Sequence, residues 1–570
     1  MIDRIVNLLN HESSSITLAA LLLAAASFAA DILGLLRDRI LATSFGAGEL
    51  LDIYYLGFRI PDLLLNLFVL GAMSSALLPV FAERYARDRE DAWKLAQNLF
   101  TLVALLLTGL AVVLFFILPW LMPLIAPGFA APALERAVVV TRILLLSPIL
   151  FGLSSLASAI LHYFQRFLLY SLAPILYNIG IIAGALLFAP RFGEAGLALG
   201  VVLGAAMHFA IQVPGLRSAG FRFRFSLTPF HDAVREVGKL ALPRTLNLVA
   251  NQLQLTVLTA IASAFAAGSI AVFNFATNLA FVPVGVIGIS FATAAFPALS
   301  RAAAAGDRRR FGATLLRTIQ QVLFFALPAS ALFLVLRAHI VRVVLGAGAF
   351  TWEDTRLTAA LLAASAVGVA AYSLLPLLVR AFFATKDTLT PFVIAVASAL
   401  LTIGLTLGLR WGLDASSDFR GLLGGVFRVA DLPDIRILAL PIAMTVAVTF
   451  QVSVLLFKLR RDFSGEELRH LASGAFRLAI SSVAAGGTAW GTLQVVAGGV
   501  AQETFVGILL QGFAAGIAGA AVFFFFAFTF AFPEAQRLMA AMRRSLPPLS
   551  AVLPRSGSNT DEEGRRGMEQ

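Results

Sequence analysis

Apolar runs of about 20 residues or more follow one another along nearly the whole of this chain, and they restrict its fold more than any other feature. About fourteen can be counted, with approximate limits 16–44, 52–82, 94–126, 134–162, 168–189, 195–216, 236–266, 270–300, 312–338, 357–385, 390–411, 436–458, 472–498 and 503–532. A chain of 570 residues with 59% hydrophobic and 13% charged residues has too little polar surface to cover so much apolar area in water. The bilayer is therefore the solvent for most of it. Inside a bilayer every backbone N–H and C=O must pair within the protein, and unbroken runs of this length select α-helices over a barrel. The expected fold class is all-α, a polytopic membrane protein of about 14 transmembrane helices.

The connections carry the orientation. Those after the second, sixth, eighth and twelfth runs read ERYARDREDAWK, RSAGFRFRFSLTPFHDAVREVGK, RAAAAGDRRRF and KLRRDFSGEELRH. Those after the first, third, seventh and thirteenth read GAGE, APGFAAP, AAGS and AGGVAQE, without Lys or Arg. Positive charge marks the cytoplasmic side, which predicts both termini in the cytoplasm, as an even number of spans requires. The net charge of +11 is then topology information, and no nucleic acid is expected as a partner. The mixed-charge start MIDRIVNLLNHESS, followed by an apolar run too long for a signal h-region, does not read as a cleavable signal peptide. Residues 412–435 form an outside connection long enough for a short surface helix, and 545–570, rich in Pro, Ser, Gly and charge, read as a disordered cytoplasmic tail.

The chain also echoes itself. FGAGELLDIYYLGF at Phe45–Phe58 returns weakly as FAAGSIAVFNFATN at Phe265–Asn278, and SALLPVFAERYARD at Ser75–Asp88 as TAAFPALSRAAAAG at Thr293–Gly306, with Pro79 matching Pro297. Six spans separate the copies, so both enter from one side, which gives two six-helix lobes related by a pseudo-twofold axis along the membrane normal. Transporters built of such halves bind cargo between them near the midplane. The expected units are 1–230 (helices 1–6), 231–460 (helices 7–12), and 461–544, two C-terminal helices outside the six-plus-six plan.

Charge inside the first two runs is the strongest functional signal. Asp31, Arg37, Asp38, Arg39, Asp52, Arg59 and Asp62 lie in an apolar hairpin that turns at Gly46-Ala47-Gly48. Ionised groups at such depth cost several kcal/mol each unless they face protein or a watery cavity. At 1.5 Å per residue, Arg37 and Arg59 both lie roughly 14 Å below the turn. Asp31 and Asp38 share one helix face, as do Asp52 and Arg59. Cations and carboxylates at matched heights suit an anionic, polar head group; a salt-bridge network that only ties the two helices together is the alternative. Lone basic residues occur at Arg142, Arg244 and Arg380; Arg244 and Arg380 are candidates for the same chamber, and each of the three reads equally as a snorkelling anchor. Asn247, Asn251, Gln252, Gln254, Asn274 and Asn278 add hydrogen-bonding groups in the seventh and eighth runs, where helix–helix contacts explain them equally well.

No Walker-type glycine loop occurs, the six histidines are scattered, and there is no cysteine. Nucleotide hydrolysis, a metal site and thiol chemistry are accordingly not expected, no cofactor is assigned, and an integral membrane enzyme is the weaker class.

The run LGLLRDRILATSFGAGELLDIYYLGFRIPDLL resembles the opening of the MurJ/MviN family of bacterial lipid II flippases. ALPRTLNLVANQ, FVPVGVIGISFATAAFPALS, VTRILLLSPILFGLSSLASAILHYFQRF and RAFFATKDTLTPF extend the likeness over roughly 15–410. The resemblance implies the fold of the multidrug/oligosaccharidyl-lipid/polysaccharide exporters: two six-helix lobes around a cationic cavity, and two last helices beside a groove for the lipid tail. It implies an inner-membrane flippase, not an enzyme, that carries undecaprenyl-diphosphate-linked sugar-peptide outward by alternating access. Membrane lipids and cell-wall synthesis enzymes are the implied partners, and a monomer is expected. Arg37, Asp38 and Asp52 match charged cavity positions of the family, and Arg59 matches a basic position before its proline. Asp31 stands where the family usually has arginine, Leu65 and Asn278 where well-studied branches have arginine, and Leu70 and Phe281 where they have glutamate. The expected substrate-binding set is Asp31, Arg37, Asp38, Asp52, Arg59, Arg244, Asn278 and Arg380, in a cavity less cationic than the family pattern. An exporter of another undecaprenyl-linked glycan or an amphipathic drug, and a non-transporting membrane scaffold, are the alternatives.

Overall fold

The computed structural model describes residues 16–66, 73–228, 232, 249–496, 498 and 504–545. Among them the chain is helix, turn and loop, without strands, as the demand for internal backbone pairing requires. The first helix group comprises α1 (Ile16–Phe45), α2 (Glu49–Gly57), α3 (Arg59–Leu65), α4 (Met73–Arg87), α5 (Arg89–Ile125), α6 (Ala131–Leu144), α7 (Leu146–Tyr163), α8 (Phe167–Ala183), α9 (Ala189–Ala210) and α10 (Val213–Ser218). The second comprises α11 (Val249–Ala262), α12 (Ser269–Pro283), α13 (Ser290–Ala304), α14 (Arg308–Val344), α15 (Trp352–Ala366), α16 (Val369–Ala384), α17 (Leu389–Ala415), α18 (Ser417–Phe427) and α19 (Ala439–Leu459). Finally α20 (Gly465–Val496) and α21 (Phe505–Thr529) pack on each other and on α14, and α22 (Pro533–Ser545) follows.

By length and composition, eight helices among the described residues can each cross a bilayer, or nine if α15 and α16, bent by 48°, form one span. Several predicted runs are broken where hydropathy shows no interruption. The run 52–82 breaks at Phe58, between α2 and α3, and 134–162 divides at Leu145, where Pro148 in the first turn of α7 has no N–H to continue the ladder. Single π-helical turns, Gly184–Phe188 and Val284–Ile289, lie at the end of α8 and between α12 and α13. The expected outside connection does carry a short helix, α18.

Local chemistry explains the long helices. Asp88 caps α5 by accepting from the Glu90 N–H at 2.8 Å, and Asp307 caps α14 by accepting from the Arg310 N–H at 2.9 Å. Both helices run 37 residues, with equivalent starts in the sequence echo. Elsewhere packing relies on small residues. A Cβ on Gly180 would overlap the Gly204 backbone, and one on Gly184 the Gly200 backbone, so α8 and α9 approach to backbone contact along glycines spaced four apart.

The distribution of cores matters most for function. One buried cluster joins both groups, with Leu41, Tyr54 and Met122 of the first packed against Phe275, Val341 and Phe350 of the second. It lies at the end carrying the turns at 46–48, 126–130 and 346–350. Two other clusters each belong to one group, one around Phe81, Leu99 and Leu161, the other around Phe311, Leu377 and Leu455. The principal packing between the groups, α2 on α12 and α1 on α14, is likewise at the shared end. The groups are thus fused at one end and keep separate cores toward the other.

Candidate functional site

Two adjoining hollows occupy the seam between the groups. One, of about 340 Å³, is lined by Arg37, Tyr55, Arg59, Asp62, Asn274 and Asn278 among others. The second, of about 400 Å³, is lined by Asp31, Arg37, Asp38, Asn178, Asn278 and Phe281 among others. Arg37 and Asn278 belong to both.

Arg37 extends from α1 and bonds Asp38 Oδ1 through Nε at 3.0 Å and Nη2 at 2.8 Å, while Nη1 donates to Asn178 Oδ1 of α8 at 3.1 Å. The other oxygen of Asp38 accepts from Asn278 Nδ2 of α12 at 2.9 Å. A continuous chain of polar groups therefore runs from α8 through α1 to the second helix group. One turn along α12, Asn274 Oδ1 accepts from Arg59 Nη2 at 3.1 Å. The two asparagines, four residues apart, share one face of α12 and meet Arg59 and Asp38. Arg59 is only 7% exposed, and its Nε, like the Tyr55 hydroxyl, is buried without a partner. Such orphaned donors are costly, and both line the 340 Å³ hollow.

Asp52 has a different position. It is 2% exposed, lines neither hollow, and accepts from the N–H groups of Gly268 at 2.6 Å and Ala271 at 2.8 Å. Its carboxylate thus caps the positive end of α12 from across the seam. Arg39 acts in the opposite sense on α14, donating from Nη1 to the carbonyls of Val343 at 2.5 Å and Val344 at 3.3 Å near its C-terminus.

Of the residues singled out in the sequence, Asp31, Arg37, Asp38, Arg59 and Asn278 converge on the hollows, and Asp52 sits at their closed end. Arg380 lines neither; its Nη1 makes a 3.4 Å contact with the Ile289 carbonyl. Arg142 stacks over Phe115 at 4.3 Å and donates to its carbonyl, as an anchor does. Arg244 and Leu70 lie outside the described residues. Leu65 and Phe281 do line the hollows. The charged lining comprises two arginines and the three carboxylates of Asp31, Asp38 and Asp62, so it has no cationic surplus among the described residues. Asn178 was not singled out; the signal for it is one amide in the otherwise apolar run ILYNIG.

The sequence pattern of the family described as lipid II flippase MurJ matches residues 41–510. The chain belongs to the MurJ family. A lipid II flippase MurJ from Burkholderia cenocepacia is 30% identical over 65% of this chain and 74% of its own length. A probable lipid II flippase MurJ from Rhizobium meliloti is 30% identical over 69% of this chain and 75% of its own. Solved structures agree on the fold. A MurJ in an inward closed conformation superimposes with a TM-score of 0.71 over 90% of this chain and 98% of that one, at 24% identity. An inward-facing multidrug-resistance MATE family transporter, itself of the MOP superfamily, gives 0.62 over 76% of this chain and 95% of that one, at 16% identity. MurJ membership makes the chain a multi-span transporter-type membrane protein.

Proposed function

We propose that this protein flips lipid II, moving the undecaprenyl-diphosphate-linked sugar-peptide from the cytoplasmic to the outer leaflet of the bacterial inner membrane. The reading divides the chain into lobes 1–230 and 231–460, with 461–544 bordering the lipid tail, and places both termini in the cytoplasm. The fused end then faces outward, because its turns lack Lys and Arg, and the separate cores leave the hollows open toward the cytoplasm.

One observation carries the proposal: Asp38, which holds Arg37, meets Asn278, and Arg59 meets Asn274, across a hollow in which Arg59 Nε and the Tyr55 hydroxyl have no partner. A diphosphate entering there supplies the missing acceptors. It also competes with Asp38 for Arg37 and with Asn274 for Arg59, and so weakens the polar contacts between lobes as it binds. Substrate binding and release of the seam thus draw on the same groups, which is what alternating access requires. Because three carboxylates face two arginines in the lining, the incoming phosphates displace Asp38 where a surplus of positive charge would simply attract them.

Complementation tests this. In a strain depleted of its own lipid II flippase, the wild-type chain restores growth and Arg59→Ala does not, although it reaches the membrane in equal amount. The acidic lining and the neutral Leu65 and Phe281 also fit another undecaprenyl-linked glycan; growth rescue by the wild type excludes that reading as the main activity.

A further inference from the structure

Another hollow, of about 850 Å³, opens at the far end of the second lobe between the start of α14, the end of α19 and the start of α20. Arg308, Arg309 and Arg317 of α14, Arg461 after α19 and His470 of α20 line it. The four arginines are exposed, and none forms an ion pair among the described residues. Of the two acids at the rim, Glu466 is exposed, and Glu467 is engaged in starting α20, where its Oε2 accepts from the Ser464 N–H at 2.8 Å and hydroxyl at 3.0 Å. Those hydrogen bonds, with the nearby Arg309 charge, hold its carboxyl below the usual range.

The remaining wall is apolar, with Ala313 and Leu316 on the same face of α14 as Arg309 and with Phe463 opposite. Arg317 lies eight residues, about 12 Å, further along α14 than Arg309, so the cationic strip descends from the helix end toward the acyl region. At Gln320 and His470 the hollow joins another of about 320 Å³, which reaches Phe530 and Phe532 just before α22. A strip of unpaired guanidinium groups over an apolar floor, at the level where helices leave the bilayer, matches a phosphodiester attached to an acyl chain. A soluble phosphate would leave the apolar floor unused.

We propose that this hollow binds the phosphate headgroup of an anionic phospholipid in the cytoplasmic leaflet, separately from the transport site. The test is a titration of the purified full-length chain with short-chain phosphatidylglycerol, with phosphatidylcholine of the same chain length and with inorganic phosphate, read by thermal unfolding and direct binding. The wild type binds phosphatidylglycerol in preference to phosphatidylcholine, and the triple variant Arg309→Ala, Arg317→Ala, Arg461→Ala binds it about a hundredfold more weakly, at roughly fivefold per arginine. If the triple variant does not fold, Arg317→Gln alone gives the fivefold loss. Equal affinity for the two lipids, or for wild type and variant, overturns the proposal. So does competition by inorganic phosphate alone at the affinity of the lipid. Tighter lipid binding by a chain ending at Ser545 would assign the hollow to the acidic stretch Asp561–Glu563 and overturn it as well.

Discussion

Asp52 and Gly268 are joined by a 2.6 Å hydrogen bond across the seam, the carboxylate of one helix group receiving the N–H that opens a helix of the other. Gly268 holds φ +89° there, and a Cβ on it would overlap the carbonyl oxygen of Ala47. The turn at 46–48 and the turn before α12, the two copies of the sequence echo, therefore abut at the closed end of the molecule. The contact needs both a carboxylate and the absence of a side chain.

Removing the carboxylate should open that end. Hydrogen bonds to a charged group contribute about 1.5–3 kcal/mol, equivalent to roughly 10–150-fold in an opening equilibrium. The chain has no cysteine, so a single Ala47→Cys serves as reporter. In the Asp52→Ala background it should react with a membrane-impermeant thiol reagent at least tenfold faster than with Asp52 intact, and Asp52→Asn should fall between.

Gly268→Ala should be more damaging than its size suggests, because strain at positive φ of about 1 kcal/mol adds to the overlap with Ala47. Gly109→Ala, where a Cβ meets nothing within 4 Å, is the control. Only the first should speed labelling at Ala47→Cys and reduce growth rescue.

How much of this can be read in the chain alone differs from residue to residue. Arg37 and Arg59 lie at matched depths from one turn, so helix rise suffices to bring them to one hollow. Asp52 looks like another member of that set, yet its partner is a helix start 216 residues away, and no local pattern announces a cap supplied across lobes. Arg39 is similar, since its acceptors are carbonyls on α14. Arg380 shares the residue type but not the position, because the α16 segment that carries it lies beyond the bend after α15. The breaks at Phe58 and Leu145 leave no hydropathy signal, since hydropathy records composition over a window and not the direction of the axis.

Close contact between α8 and α9 should make Gly180→Val destabilising. The added atoms meet the Gly204 backbone, which cannot rotate away, and overpacking of this kind costs about 1–3 kcal/mol. A lower unfolding midpoint of the purified protein, with no such change for Gly109→Val, is the expected result.

The connection between α17 and α19 carries a pH-sensitive tie. Asp431 binds Arg356 through both oxygens, one at 2.6 Å, and that partner pushes its carboxyl down to about 2. A depressed carboxylate stabilises fully above its unfolded value near 3.9 and loses that effect as the pH falls through 2. Pepsin cleavage within 417–435 should therefore rise as the pH drops from about 4 to 2, beyond the change in pepsin activity on a control peptide. In Asp431→Asn the cleavage should already be high at pH 4.

The central claim is that Arg59 and Arg37 hold the diphosphate in the seam, and the transfer rate of lipid II between leaflets of proteoliposomes measures it most directly. With Arg59→Ala, folded and inserted as the wild type is, the rate should fall at least tenfold, as loss of a charged hydrogen-bond donor predicts. A wild-type rate in both Arg59→Ala and Arg37→Ala would make these charges structural and contradict the account.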